Sequence, residues 1–296
     1  MVEFITEGKI RSYDYLRVRC EFYDLWNKLF LNKNQIDMAV FRNFGRFWPL
    51  EKFLTQTRLR NLWFIPKFAG GLLNSEVILR SNQLWMTRAW EYPWAALNSN
   101  ISSHTKILDI GSGWSLFPLY LAQKSENVDS IDTDEMQMKI LSPALADILK
   151  LKVNYFIDNA LGLSAKDNTY DYIFCISVLE HLEEEVENGR YVNKHIKRLD
   201  RIAIKEFMRV IKPGGRIVLT LDYASEDVSM RSFHFDYVKD LIEEFRANLL
   251  KPFDKHDDIR FTKEKENEMR RLWSEFFPYE PENPPCGSIG IILTKR

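Results

Sequence analysis

Cysteine is scarce in this chain. Three occur in 296 residues, Cys20, Cys175 and Cys286, and their wide separation makes neither a CxxC pair nor a disulfide framework. That excludes a small stapled scaffold and fits a reducing, cytoplasmic setting. Long apolar runs are missing as well. The nearest, "NLWFIPKFAGGLL", is interrupted by Pro66 and Lys67 and falls short of the ~18–20 residues of a spanning helix. The opening "MVEFITEGKIR" carries acids where a secretory leader needs a basic end and then an apolar core. Neither sign of charge prevails. With 41 basic and 42 acidic residues the formal net charge is −1, so no global field favours nucleic acid or an anionic membrane. Repeats and low-complexity tracts are lacking. His104, His195, His234 and His256 have no ligand spacing among them, so no metal is expected.

What is present is an ordinary globular composition, 45% hydrophobic and 28% charged, at a length that suits one large domain or a domain with a substantial attachment. Two textures divide the chain near residue 100. The first part is rich in aromatics and arginine, as in "YDLWNKLF", "VFRNFGRFWPL" and "RLRNLWFIPKF". Phe22, Leu25, Trp26, Leu29 and Phe30 recur at helical spacing, so residues 1–100 read as a helical N-terminal extension or lid, with a break near Pro66–Gly71. From residue 101 to 296, short β-rich runs alternate with helical stretches. Strands are expected at Lys106–Ile110, Val128–Ile131, Val153–Ile157, Tyr172–Ile176 and Arg216–Leu221, with helices such as Leu116–Gln123 and Ile202–Val210 between them. Alternation of this kind implies βαβ units and a parallel sheet covered on both faces. Further helices are expected around Phe235–Phe245 and Lys263–Phe277, and "GSIGIILTK" reads as a terminal strand that closes the sheet edge.

The stretch "KILDIGSGWSLFPLYLA", Lys106 to Ala122, carries the first functional signal. In an open α/β sheet ligands sit beyond the carboxyl ends of the strands, and "GSGWS" falls there. Gly111 and Gly113 let the backbone turn sharply and approach a ligand. Ser115 suits an N-cap, with Pro118 in the first helical turn. A dinucleotide fingerprint needs a third glycine where Leu116 stands, which argues against one. At the end of the second strand, in "VDSIDTDE", Asp132 is placed to accept hydrogen bonds from ribose hydroxyls. It also has capping-box spacing with Glu135, and the two roles are compatible.

"ILDIGSG" resembles the first motif of the class I methyltransferases. "FIDNALGL" resembles the stretch that ends the third strand and faces adenine, "YDYIFCISVLEHL" the fourth strand and following helix of the type 11 group, and "RVIKPGGRIVLTL" the turn into the fifth strand. The resemblance covers residues 106–222, with 223–296 left to complete the sheet. It implies a doubly wound, mostly parallel, Rossmann-like sheet of seven strands and S-adenosyl-L-methionine as cofactor. Carried over residue by residue, the cofactor site is Asp109, Gly111, Ser112, Gly113, Asp132, Thr133, Asp158, Asn159, Ala160 and Ser177. Asn159 stands where the family more often has aspartate. Its side-chain carbonyl can accept from an adenine amino group, and Asp158 is the alternative one residue earlier.

Methyl transfer from a sulfonium is an in-line displacement in which positioning alone can supply ~7–11 kcal/mol. A general base, worth about 10²–10⁴-fold, is needed only for a protonated nucleophile. His181 is the candidate base, and contact with cofactor or simple packing are its other readings. "SVLE" reads as a capping box from Ser177 to Glu180, and the following "EEEVE" as a solvated helix face. In "AWEYPWAAL", Tyr92 and Trp94 are candidates to cover the substrate, or to pack on the sheet instead. The resulting reading is a methyltransferase acting on a small-molecule or sugar-like acceptor, at oxygen by default. Two alternatives stay open. One is a macromolecular acceptor, with RNA, protein or lipid docked by Arg42, Arg46, Arg58, Arg60 and Lys67 among the aromatics. The other is a non-catalytic cofactor binder of the same fold. The acceptor, the pathway and the oligomeric state have no signature in the sequence.

Overall fold

The structure, a computed structural model, describes residues 12–33, 35–36, 38–39, 88–113, 115–182, 184–187, 190–193, 198–223, 235–245 and 287–296. The expected break at Pro66–Gly71, the helix at Lys263–Phe277, the basic residues Arg42 to Lys67, and Cys286 lie outside them.

The described strands are β1 (Lys106–Ile110), β2 (Asn127–Asp132), β3 (Asn154–Ile157), β4 (Tyr170–Ile176), β5 (Glu184–Glu187), β6 (Arg190–Asn193), β7 (Ile211–Tyr223) and β8 (Gly287–Thr294). Six of them form one sheet in the order β3-β2-β1-β4-β7-β8. The first five in that order run parallel and β8 pairs antiparallel with β7. The doubly wound class is as expected and the terminal strand closes the edge, but among the described residues the sheet has six strands rather than seven. β5 and β6 pair with each other as a separate hairpin, which corrects the expected helix at "EEEVE".

β1 illustrates why the sequence makes this sheet. A central parallel strand is covered on both faces and so reads as a nearly continuous apolar run. Leu108 and Ile110 join one hydrophobic cluster and Ile107 the other, as period-two alternation requires. The exception is Asp109, buried on the Ile107 side at 2% exposure.

One face of the sheet carries α1 (Ser12–Leu31), α2 (Arg88–Leu97), α3 (Phe117–Ala122) and α4 (Ser142–Leu149), and the other carries α5 (Leu199–Val210) and α6 (Phe235–Glu244). In α1, Val18, Phe22, Leu25 and Leu29 fall on one stripe and are buried, each worth roughly 1.5–3 kcal/mol of transfer free energy. Phe30, expected on that stripe, is 45% exposed and stacks on Trp26 instead. Phe22 contacts Tyr92 of α2 and both Phe117 and Tyr120 of α3, at ring separations of 5.4, 6.2 and 4.3 Å. The described N-terminal helices therefore share a core with the sheet's own helices. On the opposite face Arg201 of α5 donates to Glu244 and to Tyr237 of α6, each at 2.7 Å, which fixes α6 against α5.

Candidate active site

The strand order reverses between β1 and β4. Such a switch point opens a crevice beyond the carboxyl ends of the two strands. Gly111 follows β1 there and Ser177 follows β4.

The glycine loop is held from two sides. Gly111 N–H donates to Ile131 O at 2.8 Å, Gly113 N–H donates to Asp132 Oδ2 at 2.9 Å, and Gly113 O accepts from Ser142 Oγ of α4 at 2.8 Å. Ser112 is buried and accepts from Ser130 Oγ at 2.7 Å. Both glycines have positive φ, 67° and 51°, a region that side chains rarely enter. A Cβ on Gly111 would also lie 2.8 Å from Val178 Cγ1 and closer still to Cγ2. At Gly113 a Cβ would meet Gln137 Oε1 at 2.8 Å, so both glycines let the loop pack closely on its neighbours. Ser115 behaves nearly as expected. Its Oγ accepts from Phe117 N–H at 3.3 Å, although Leu116 occupies the cap position and Pro118 follows within the first turn.

Asp132 ends β2, and its other oxygen accepts from Asp134 N–H at 3.0 Å. The capping box from Asp132 to Glu135 is not formed. Asp134 takes that role by accepting from Gln137 N–H at 3.0 Å, ahead of a π-helical turn at Gln137–Leu141. Asp132 is left at the crevice edge with both oxygens oriented by backbone, and Thr133 beside it is exposed. Beyond β3, Asp158 accepts from Ser164 N–H and Oγ at 3.0 and 2.9 Å. Its own N–H donates to Asp132 O at 3.2 Å. Asn159 is exposed and its side-chain carbonyl accepts from Leu161 N–H at 2.9 Å, while Ala160 is buried. The ten candidate cofactor residues therefore gather along one edge of β3, β2, β1 and β4.

Asp109 stands beneath this edge. Its Oδ2 is buried without a hydrogen-bond partner, and burial first, then the Asp132 charge, raises its carboxyl well above the usual carboxylate range. An orphaned polar atom under a glycine cradle, with an oriented acid at the next strand end, fits a polar ligand such as an adenosine cofactor. The assigned residues agree with that group.

Ser177 departs from expectation. Its φ is 48°, the helical turn after it is only Leu179–His181, and its Oγ donates to Glu91 Oε1 of α2 at 2.5 Å. The capping box is not made, because the left-handed turn aims the hydroxyl at α2. Glu180 accepts from Asp222 N–H at 3.4 Å instead. His181 lies at the exposed end of this turn, its N–H donating to Val178 O at 3.0 Å. Tyr92 is buried between Phe22 and Phe117. Its hydroxyl neighbours Ser115 and Arg88, and burial raises its pKa. Trp94 lies elsewhere. It is 3% exposed, and a Cβ on Gly290 of β8 would stand 2.6 Å from its Cε2. Packing on the sheet, three strands from β1, is therefore the reading that Trp94 fits.

Sequence reasoning missed Arg88 and Glu91. Glu91 is wholly buried, paired with Arg88 and bonded to Ser177. The signal in the sequence was an acid inside an otherwise apolar, aromatic helical window. Among the described residues no group of acids, histidines and cysteines could hold a metal ion, and no helix is long and apolar enough to cross a membrane.

A parallel sheet with a glycine cradle at its switch point and an acid ending the next strand defines a nucleoside-cofactor domain of the doubly wound class. Residues 108–219 match the family model described as a methyltransferase domain. The chain is similar to the ubiquinone biosynthesis O-methyltransferase of Rickettsia conorii, 28% identical over 59% of this chain and 56% of that one. It is similar to the mitochondrial ubiquinone biosynthesis O-methyltransferase of Schizosaccharomyces pombe, 28% identical over 41% and 39%. The demethylmenaquinone methyltransferase of Bacillus subtilis is 22% identical over 56% and 64%. The chain thus spans 39%, 56% and 64% of the length of the Schizosaccharomyces pombe, Rickettsia conorii and Bacillus subtilis relatives, less than two thirds of each.

Proposed function

We propose that this protein transfers a methyl group from S-adenosyl-L-methionine to an oxygen of a small-molecule acceptor, in the cytoplasm. The observation that carries the reading is the glycine cradle and Asp132, side by side at the switch point of a domain that matches the methyltransferase model. The bound donor supplies a methyl carbon already activated by its sulfonium. The chain's own part is to bind, orient and exclude water. Gly111 and Gly113 admit the donor's backbone-facing edge, Asp132 takes the ribose hydroxyls, and Asp158 to Ala160 line the adenine end. Oxygen as the accepting atom is supported by relatives named O-methyltransferases. A small, ring-bearing phenol or a sugar-like hydroxyl suits that chemistry. His181, at the exposed end of the β4 turn, is the candidate base for such a hydroxyl. Residues 1–100 are read as an extension whose α1 and α2 cover one sheet face, with Tyr92 the member nearest the glycine loop.

The test is turnover of methyl-labelled donor with a panel of phenols, catechols and sugars. Label recovered in an oxygen-linked methyl group supports the reading. Label recovered only in added RNA or protein, or no transfer by a chain that binds donor, overturns it.

A further inference from the structure

Glu91 lies upstream of every motif that resembles the methyltransferases, yet it reaches the end of β4. We infer that Glu91, held by Arg88, is a positioning residue of the donor site: it engages the Ser177 proton, locks the left-handed turn that seats on the glycine loop, and leaves Ser177 Oγ to accept a hydrogen bond from the ligand's amino-acid end. The inference rests on the donor assignment above.

Four contacts carry it. Ser177 Oγ donates to Glu91 Oε1 at 2.5 Å, the range of a hydroxyl on an ionised carboxylate. Arg88 pairs with the other Glu91 oxygen. The cation thereby gives the wholly buried carboxyl a direct partner. Ser177 N–H donates to Thr220 O and Oγ1 at 2.9 and 3.1 Å, which fixes the residue from the β7 side. Val178, next in the chain, fills the space that a Cβ on Gly111 would need. A non-glycine residue at φ 48° persists only where its surroundings over-determine it, and here α2 and β7 do so together.

The polarity of the site follows. A hydroxyl has one proton and two lone pairs. With its proton on Glu91, Ser177 can only accept, so its ligand partner is an N–H or O–H donor. A ligand carboxylate has no proton to give such an acceptor. With the ribose hydroxyls taken by Asp132, the donor's ammonium is the group of matching chemistry. Asp222 and Arg88 also lie near this turn, beside the buried Glu180.

The experiment uses the full chain and three probes: S-adenosylmethionine, S-adenosylhomocysteine, and methylthioadenosine, which lacks the amino-acid end. Affinities are measured calorimetrically for the parent, Glu91→Ala, Ser177→Ala and the double variant, beside thermal midpoints. Each single change is expected to weaken the first two probes about 10-fold or more. Methylthioadenosine is expected to change by no more than about twofold, and the double variant to be no worse than either single. Equal losses on all three probes, additive losses, or parental affinity in folded Glu91→Ala overturn the inference. Should Glu91→Ala not fold, Arg88→Met is expected to give the same selective loss and Arg88→Lys to restore affinity. Equal behaviour of these two overturns it as well. A parent chain that binds neither S-adenosyl probe contradicts the donor assignment, which is a separate outcome.

Discussion

Replacing Gly111 by alanine tests how closely the loop and the β4 turn fit. Two costs are separable. The positive φ of 67° costs an L side chain roughly 1–2 kcal/mol. The new Cβ would stand 2.8 Å from Val178 Cγ1, and Val178 cannot swing away freely because Ser177 before it is tied to Thr220 and Glu91. Overpacking of that kind costs typically about 1–3 kcal/mol. Together they give ~2–5 kcal/mol, a large part of a typical 5–15 kcal/mol stability. Gly214 supplies the control, with φ 76° and nothing within 4 Å of an added Cβ, so Gly214→Ala carries the backbone cost alone. Gly162→Ala meets nothing within 4 Å and has no positive φ, so it should be near neutral. Urea midpoints give the order Gly162, Gly214, Gly111, from least to most destabilised, and calorimetry should show donor affinity lost at Gly111 only. Equal destabilisation at Gly111 and Gly214 would refute the close-fit argument.

Two other predictions concern buried groups. Glu180 is wholly buried, and burial, then the Asp222 charge, holds its pKa well above 4.5. Above that value the folded chain keeps a proton that the unfolded chain has released, so stability falls as pH rises toward the folded pKa, by at most about 1.4 kcal/mol per pH unit for one proton. Glu180→Gln should flatten this slope in midpoints measured from pH 5 to 9 and raise stability at the alkaline end, whereas an unchanged slope assigns the proton elsewhere. Gly290→Ala should destabilise the chain by roughly 1–3 kcal/mol, because Trp94 is buried over that position. Trp94→Ala should then offset part of the loss, and strict additivity in the double variant would count against the contact.

The strands were legible because central parallel strands are apolar throughout and their ends are marked by glycine, proline and acids. Five expected runs coincide with β1 to β4 and β7, differing by a few residues at the ends, and the last run is β8. The glycine loop and Asp132 were legible for the same local reason, since a turn and a strand-end acid are written within a few residues. What escaped was non-local. The Ser177–Glu91 bond joins residues 86 positions apart, and nothing in "SVLEHL" signals that its serine faces α2 rather than its own helix. "EEEVE" failed differently. A charge run with a single valine has no hydrophobic period, so it cannot distinguish a helix face from the strand β5. Asp132 ends β2 and Asp134 follows two residues later, and only the backbone direction after β2 decided which one caps.

Donor binding to the parent chain and to Asp132→Ala tests the central claim most directly. The calorimetric ligands are S-adenosylmethionine, S-adenosylhomocysteine and NAD. The parent should bind both S-adenosyl ligands in preference to NAD. Asp132→Ala should weaken them about 10–150-fold, the worth of hydrogen bonds to a charged group at about 1.5–3 kcal/mol. Binding of NAD alone, or parental affinity in a folded Asp132→Ala chain, would contradict the account.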